Sequence, residues 1–378
     1  MKRICCWQPV LTPHQSHTLL AFTRAMNAEI RIVSSASEIA ARKSQGWTAG
    51  ARLELPVEVL PAQGWRNRVR EILSEERDSI HIFGSPFERA KQNLALAIAL
   101  WRRYEIYLIS EPYSPVATGY LANGVAWKER LKAALRPKIY AIYGALMRNR
   151  LYGVFAISPA AVDQYRRMGV EESKIFPFGY FVPLPAAPEP RPASSGNLRI
   201  AYLGSFIRRK GVDVLLDAFM SSGVLSTGAT LTLFGHRPDD FELPFDDRIR
   251  DGGPLPFGAV DRTLAEFDLL VVPSLYDGWA VVVNEAIGAG VPVLASSMVG
   301  AGASVERWEC GMRFTSGDPS DLARCIVSLS NDRMALDRLR ERTPLLAAQL
   351  QPDIAGDYMR ECVEAARSHA VAPAAPWY

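Results

Sequence analysis

Short apolar runs that stop at Gly, Ser or Pro alternate along the chain with longer stretches of helical pattern. This is how parallel strands joined by crossover helices read. In the first half the runs are RICCWQPV, EIRIVSS, VEVLP, SIHIFGS, EIYLISEP and GVFAIS; in the second they are LRIAYLGS, ATLTLFG, DLLVVPS and VPVLAS. Between the halves lies PLPAAPEPRPASSGN, Pro183 to Asn197, with five prolines. Such a stretch neither continues a helix nor supplies a core, so it is expected to be a linker. The pattern predicts an α/β protein of two Rossmann-like, doubly wound domains facing one another across a cleft. Residues 1–182 form the first, 183–197 the linker and 198–350 the second. A last helical pattern from about Pro352 to Arg367 falls in a C-terminal segment, 351–378, expected to return to the first domain. Its end, AVAPAAPWY, reads as a loose tail.

Composition narrows the class only a little. At 378 residues, with 48% apolar and 22% charged residues, the chain has the usual globular balance and is long enough for two cores. The 43 basic and 40 acidic residues are too even to argue for a nucleic-acid partner, so any basic signal is local. Five cysteines without disulfide-framework or zinc-like spacing fit a reducing compartment, the cytoplasm. The N-terminal run MKRICCWQPV is broken by Gln8 and Pro9, which predicts a first strand and not a signal peptide. No apolar stretch approaches the ~18 residues of a membrane span.

The candidate chemistry lies at strand ends. RIAYLGSFIRRKG runs from a strand into a turn at Gly204 and then into Arg208, Arg209 and Lys210 before a helix. Cations beside a helix start, at the carboxyl end of a parallel strand, suit a phosphate-bearing ligand. Further on, PSLYDGWAVVVNEAIGAGVPVLAS places Asp277 on a glycine turn after a strand and Glu285 eight positions later on the following helix. Gly278 permits the tight turn, and the exposed N–H groups of the next turn point at an anion. A carboxylate accepts two hydroxyl hydrogen bonds at once, so Glu285 suits a ribose diol and Asp277 a sugar ring.

Taken together, LGSFIRRKG, TLFGHRPDD and YDGWAVVVNEAIGAGVPV, in this order and at these separations, resemble the retaining, nucleotide-sugar-dependent glycosyltransferases of the GT-B fold, family four. The likeness is strong from Leu198 to about Arg324; in the first half it rests on strand order and on FAISPAAVDQYRRMGVEESKIFPFGYFVP. The family's Glu, seven residues, Glu motif becomes Asp277 and Glu285 here. The resemblance implies that Glu285 binds the donor ribose, that Asp277 binds donor-sugar hydroxyls, and that Gly278, Trp279, Ala280 and Val281 offer backbone N–H groups to sugar and phosphate. Lys210 matches the family's phosphate-binding lysine, and Gly204 and Gly235 its glycine turns. Where the family often has an arginine after the first glycine this chain has Ser205, so Arg208 or Arg209 is expected to take over part of that task. His14, with Gln15, occupies the place of the family's glycine-rich loop after the first strand. Glu111 stands where many members carry a histidine near the donor sugar, a fixed cleft carboxylate that would orient the acceptor hydroxyl or bind the donor sugar.

The chain has no strict Asp-x-Asp pair, and cations with a helix N-terminus are expected to neutralise the leaving diphosphate without a metal or other cofactor. The expected activity is retaining transfer of a hexose from a UDP- or GDP-linked sugar to a lipid-linked or oligosaccharide acceptor in bacterial surface polysaccharide assembly. A GT-B nucleotide-sugar epimerase and a non-catalytic nucleotide-sugar-binding protein share the same donor residues. One further segment, AWKERLKAALRPKIYAIYGALMRNR, carries seven basic residues against one acidic, with Leu131, Leu135, Ile139, Ile142 and Leu146 at helical spacing. Pro137 is expected to kink the helix or begin a second. The apolar stripe is expected to pack inward while the cations attract anionic lipid, at about 1 kcal/mol each, on the inner face of the membrane.

Overall fold

The computed structural model describes residues 2–36, 55–84, 89–114, 127–185, 196–256 and 258–378; within 127–147 the side chains of 128–130 and 132 lie outside that description. Among the described residues the strands form two sheets. The first comprises β1 (Lys2–Gln8), β2 (Ala28–Ser34), β3 (Val57–Val59), β4 (Ile80–Gly84), β5 (Glu105–Ser110), β6 (Gly153–Ile157) and β7 (Ile175–Phe178), in the spatial order β3-β2-β1-β4-β5-β6-β7. The second comprises β8 (Arg199–Leu203), β9 (Thr230–Phe234), β10 (Ile249–Gly253), β11 (Leu269–Val272), β12 (Val293–Ser296) and β13 (Gly311–Phe314), in the order β10-β9-β8-β11-β12-β13. The strand pairs are parallel, Ile4 opposite both Ile30 and Ile80 in the first sheet and Leu270 opposite both Ala201 and Val293 in the second. Each sheet is thus a doubly wound, Rossmann-like unit. The order reverses between β1 and β4 in one and between β8 and β11 in the other, and ligands bind at such switch points, beyond the carboxyl ends of the strands.

The apolar runs are continuous because the sheets are covered on both faces. In β1, Ile4 and Cys6 enter one core while Cys5 and Trp7 enter the opposite one, all four with no more than 1% of their surface exposed. The cluster on the Ile4 face does not stop at the edge of its sheet. It continues through Phe155, Phe178, Phe181 and Trp279 to Val283, Ala286 and Val293 of the second sheet's side, so one apolar core crosses between the halves.

The C-terminal segment closes this arrangement. The helix Pro352–Ser368 lies against the helix Pro13–Met26, and a Cβ at Gly356 would sit 2.5 Å from the Ala21 carbonyl carbon, so only glycine admits so close an approach. Arg367 clamps its end to Glu105 with bonds of 2.8 and 2.9 Å. The expectation of a loose tail fails. Trp377 is fully buried, 4.4 Å between ring centroids from Phe181 and 5.1 Å from Tyr358, and Tyr378 meets Trp279 at 6.3 Å. An aromatic pair after a Pro- and Ala-rich stretch brings enough apolar surface to hold an otherwise irregular segment. Of the stretch Pro183–Asn197, residues 186–195 lie outside the described residues; Leu184 exchanges hydrogen bonds with Gln351 at 3.4 Å.

The helix Trp127–Met147 runs through Pro137 as one element, and it overturns a second expectation. Its inward side is Tyr140, Tyr143, Gly144 and Met147, with the Tyr140 ring 4.9 Å from Tyr113 and Gly144 against Met168. Leu131, Leu135, Ile139, Ile142 and Leu146 face outward. No described helix is long and apolar enough to cross a membrane.

Candidate active site

At the switch point of the second sheet, the turns that follow β8 and β11 are zipped together. The Leu275 N–H donates to the Arg209 carbonyl at 2.8 Å, and the Arg209 guanidinium donates to the Tyr276 carbonyl at 2.8 Å. Gly211, at φ 67°, makes room for the contact: a Cβ there would lie 2.1 Å from the Pro273 carbonyl oxygen. This zipper brings Lys210 Nζ to 2.5 Å from Asp277 Oδ2, with Arg209 at 3.8 Å from the same oxygen. Burial acts to raise the Asp277 carboxyl, but Lys210 and Arg209 outweigh it and, helped by the Trp279 N–H, hold it below the usual aspartate range. Arg208, by contrast, is exposed on the outside of the same turn. Of the two arginines expected to share the phosphate task, the fold brings only Arg209 to the acidic turn. Gly204 and Gly235 end neighbouring strands and abut. A Cβ on Gly235 would lie 1.9 Å from the Gly204 carbonyl oxygen, while the Ser205 carbonyl accepts from Tyr202 Oη at 2.9 Å.

The acidic turn leads into the helix Val281–Gly288 through Ala280, whose φ of 72° is left-handed. A non-glycine residue there is strained, and it aims the first-turn N–H groups outward as a local positive end. The Trp279 N–H serves Asp277, and the Trp279 ring is buried between the domains, donating from Nε1 to Asn284 Oδ1 at 3.0 Å. Gly179 lies so close to that ring that a Cβ would approach it to 2.5 Å. Trp279 is therefore a wedge between the halves.

Glu285 sits one turn along the helix, near Asp261 and away from the cations. Burial, and then the Asp261 charge, push its carboxyl up to about 7. The Asp261 carboxyl is itself raised by burial. Two carboxylates separated by seven residues thus experience opposite fields.

The first domain closes the other side. His14, on the first turn of the helix Pro13–Met26, is fixed by a 2.9 Å bond between Nε2 and Thr12 Oγ1, and its ring lies 4.5 Å from that of Tyr180. Tyr180 Oη donates to Glu111 Oε1 at 2.7 Å, and Glu111 Oε2 abuts Gly278, where a Cβ would lie 2.4 Å away. His14 and Glu111 therefore converge on the acidic turn. Three residues that the sequence did not single out complete the junction. The Tyr276 hydroxyl donates to the Pro112 carbonyl at 2.5 Å, and Asn284 Nδ2 donates to the Tyr180 carbonyl at 2.8 Å. Tyr180 thereby touches His14, Glu111 and Asn284 at once. The available signal was Asn284, a polar residue inside the apolar run VVVNEAIG, since a buried amide demands partners.

Two Rossmann-like domains whose switch points face one cleft, with cations and a helix start on one side, define the GT-B architecture. Solved glycosyltransferases share it along nearly the whole chain. HepE of Anabaena in complex with UDP-glucose superposes with a TM-score of 0.66 at 16% identity, over 97% of this chain and all of its own. The lipopolysaccharide outer core galactosyltransferase WaaB superposes with a TM-score of 0.64 at 13% identity, over 96% and 99%. By sequence, residues 197–332, within the second domain, match the family described as glycosyl transferases group 1. The glycogen synthase of Mycobacterium tuberculosis is 28% identical over 260 residues, covering 64% of this chain. The chain spans 59% of that enzyme's length.

Proposed function

We propose that the chain is a retaining glycosyltransferase that moves a hexose from a UDP- or GDP-linked donor to an acceptor hydroxyl on a lipid-linked oligosaccharide, in bacterial surface polysaccharide assembly. The observation that carries the reading is the zipper of basic and acidic turns, with Lys210, Arg209, Asp277 and the start of the helix Val281–Gly288 at one point, and with Glu111 of the first domain against Gly278 of the same turn. Likeness to HepE, solved with UDP and UDP-glucose, makes uridine the base to test first.

In this reading the donor diphosphate lies over Arg209, Lys210 and the first-turn N–H groups, Glu285 takes the ribose diol, and Asp277 and Glu111 hold the sugar from opposite sides. The bond from the anomeric carbon to the diphosphate oxygen breaks as the acceptor oxygen bonds to that carbon on the same face. The acceptor proton passes to the departing diphosphate, so no separate base is needed. Fixed positive groups aimed at the leaving oxygen stabilise its developing charge, and a metal is not required for that task. Incubation with UDP-glucose or GDP-mannose and an oligosaccharide acceptor tests this. An α-linked product from the α-linked donor, formed in EDTA, is the expected result. Inversion, a strict metal requirement, or an epimerised donor with no transfer would each contradict it.

A further inference from the structure

The outward face of the helix Trp127–Met147 is an apolar ridge. Leu131, Leu135, Ile139, Ile142 and Leu146 are between 41% and 71% exposed. At about 100° per residue they fall within an arc of about 80°, its centre about 110° around the helix from the packed side formed by Tyr140, Tyr143 and Met147. Scattered exposed leucines are ordinary, but five in line along four turns form a contiguous patch of the kind that marks an interaction surface. Trp101, 79% exposed, stands beside the far end, where Arg150 donates to the Leu100 carbonyl at 2.9 Å.

Charge decides the occupant. From Leu131 to Arg150 the sequence carries Lys132, Arg136, Lys138, Arg148 and Arg150 and no carboxylate. Lys138 is exposed beside the ridge, whereas the exposed Arg148 lies against Gly169, where a Cβ would meet its Nη1 at 2.7 Å. Two copies meeting ridge to ridge would bring two such basic segments together, whereas an apolar ridge flanked by Lys138 matches the acyl boundary and headgroups of an anionic bilayer. We propose that this ridge docks the protein on an anionic membrane surface, with Leu131, Leu135, Ile139, Ile142 and Leu146 entering the acyl boundary and Lys138 at headgroup level.

The ridge is mechanically tied to the cleft. Arg136 donates to the Ser114 carbonyl at 2.9 Å and Tyr140 packs on Tyr113, so the helix holds the segment that carries Glu111. Docking would therefore present the cleft mouth to an acceptor whose tail lies in the bilayer. That last point rests on the proposed transferase reading; the docking itself does not.

The test is sedimentation of the full chain with vesicles of phosphatidylcholine alone and of equal parts phosphatidylcholine and phosphatidylglycerol, with UDP affinity measured alongside. The wild type is expected to pellet with the anionic vesicles and poorly with the neutral ones. Ile142→Glu with Leu146→Glu should lower vesicle affinity at least about tenfold, while Lys138→Glu should lower it several-fold at low salt and little at high salt. UDP affinity should be unchanged in each variant, which separates failure of docking from failure of the donor site. If the glutamates impair folding, Ile142→Ser with Leu146→Ser replaces them. Equal pelleting with both vesicle types, binding of the ridge variants like the wild type, or a dimer that these variants convert to monomer would overturn the proposal.

Discussion

Asp277 and Glu285 belong to one short stretch of chain, yet the fold gives them contrary surroundings. Asp277 lies on a turn clamped to the basic turn and is held ionised by Lys210 and Arg209. Glu285 lies one helical turn further into the second domain, with Asp261 as its charged neighbour, and titrates near neutrality. A carboxylate next to a diphosphate must keep its charge balanced by cations, whereas one that receives a neutral diol has no such need. Under the proposed transferase reading, the contrast would set a phosphate-and-sugar end of the cleft apart from a ribose end, which sequence spacing alone does not distinguish.

The contrast breaks most severely at Lys210. Lys210→Met leaves a buried carboxylate with a single cation at 3.8 Å, and the loss should reach about 3 kcal/mol of stability, along with nearly all transfer. Adding Asp277→Asn should restore the melting temperature but not turnover; a double variant as unstable as the single one would show that the pair is not the cause.

A pH series sharpens it next. The folded protein holds the Glu285 proton more tightly than the unfolded chain does, so this group's contribution to stability is lost as pH rises from about 4.5 through about 7. The loss should be about 3 kcal/mol, and Glu285→Gln should flatten the denaturation midpoint over that window. A wild-type profile that is already flat there would remove the assignment.

Affinity and turnover then separate the two ends. Glu285→Ala should weaken UDP binding at least about tenfold, about 1.4 kcal/mol. Asp277→Asn should cut transfer by a similar factor while UDP affinity stays within a few-fold. Parallel loss of UDP affinity in both variants would mean that the ends are not distinct. The smallest effect is expected at Tyr180→Phe, which deletes one hydrogen bond to Glu111 worth about 1 kcal/mol. Transfer should fall a few-fold, with UDP affinity unmoved.

How far the sequence could be read depended on where each element lies. The ten runs identified from the apolar pattern correspond to strands, most of them inside the sheets. The three strands it did not identify, β7, β10 and β13, are all sheet edges. β7 contains Pro177, β10 ends in Gly252 and Gly253 and is largely exposed, and β13 is four residues long. Edge strands tolerate such residues and short lengths, so their apolar signal is weaker even where, as in β7, the strand is largely buried. In the cleft, Lys210, Asp277 and Glu285 announced themselves through local turns and spacing. Asn284 and Tyr276 did not, because their partners Tyr180 and Pro112 are 104 and 164 positions away. The helix Trp127–Met147 carries two apolar stripes, one with Tyr140, Tyr143 and Met147 and one with the leucines and isoleucines. Periodicity reports both and cannot say which is turned inward.

The core that runs from Phe155 through Phe181 and Trp279 to Val283 also bears on how the molecule comes apart. Two sheets that share one apolar cluster, with Trp377 seated on Phe178 and Phe181 and Tyr378 against Trp279, are expected to melt as one unit. Calorimetry should therefore show a single cooperative transition, its calorimetric and van't Hoff enthalpies in agreement. Neither half expressed by itself should hold a native fold.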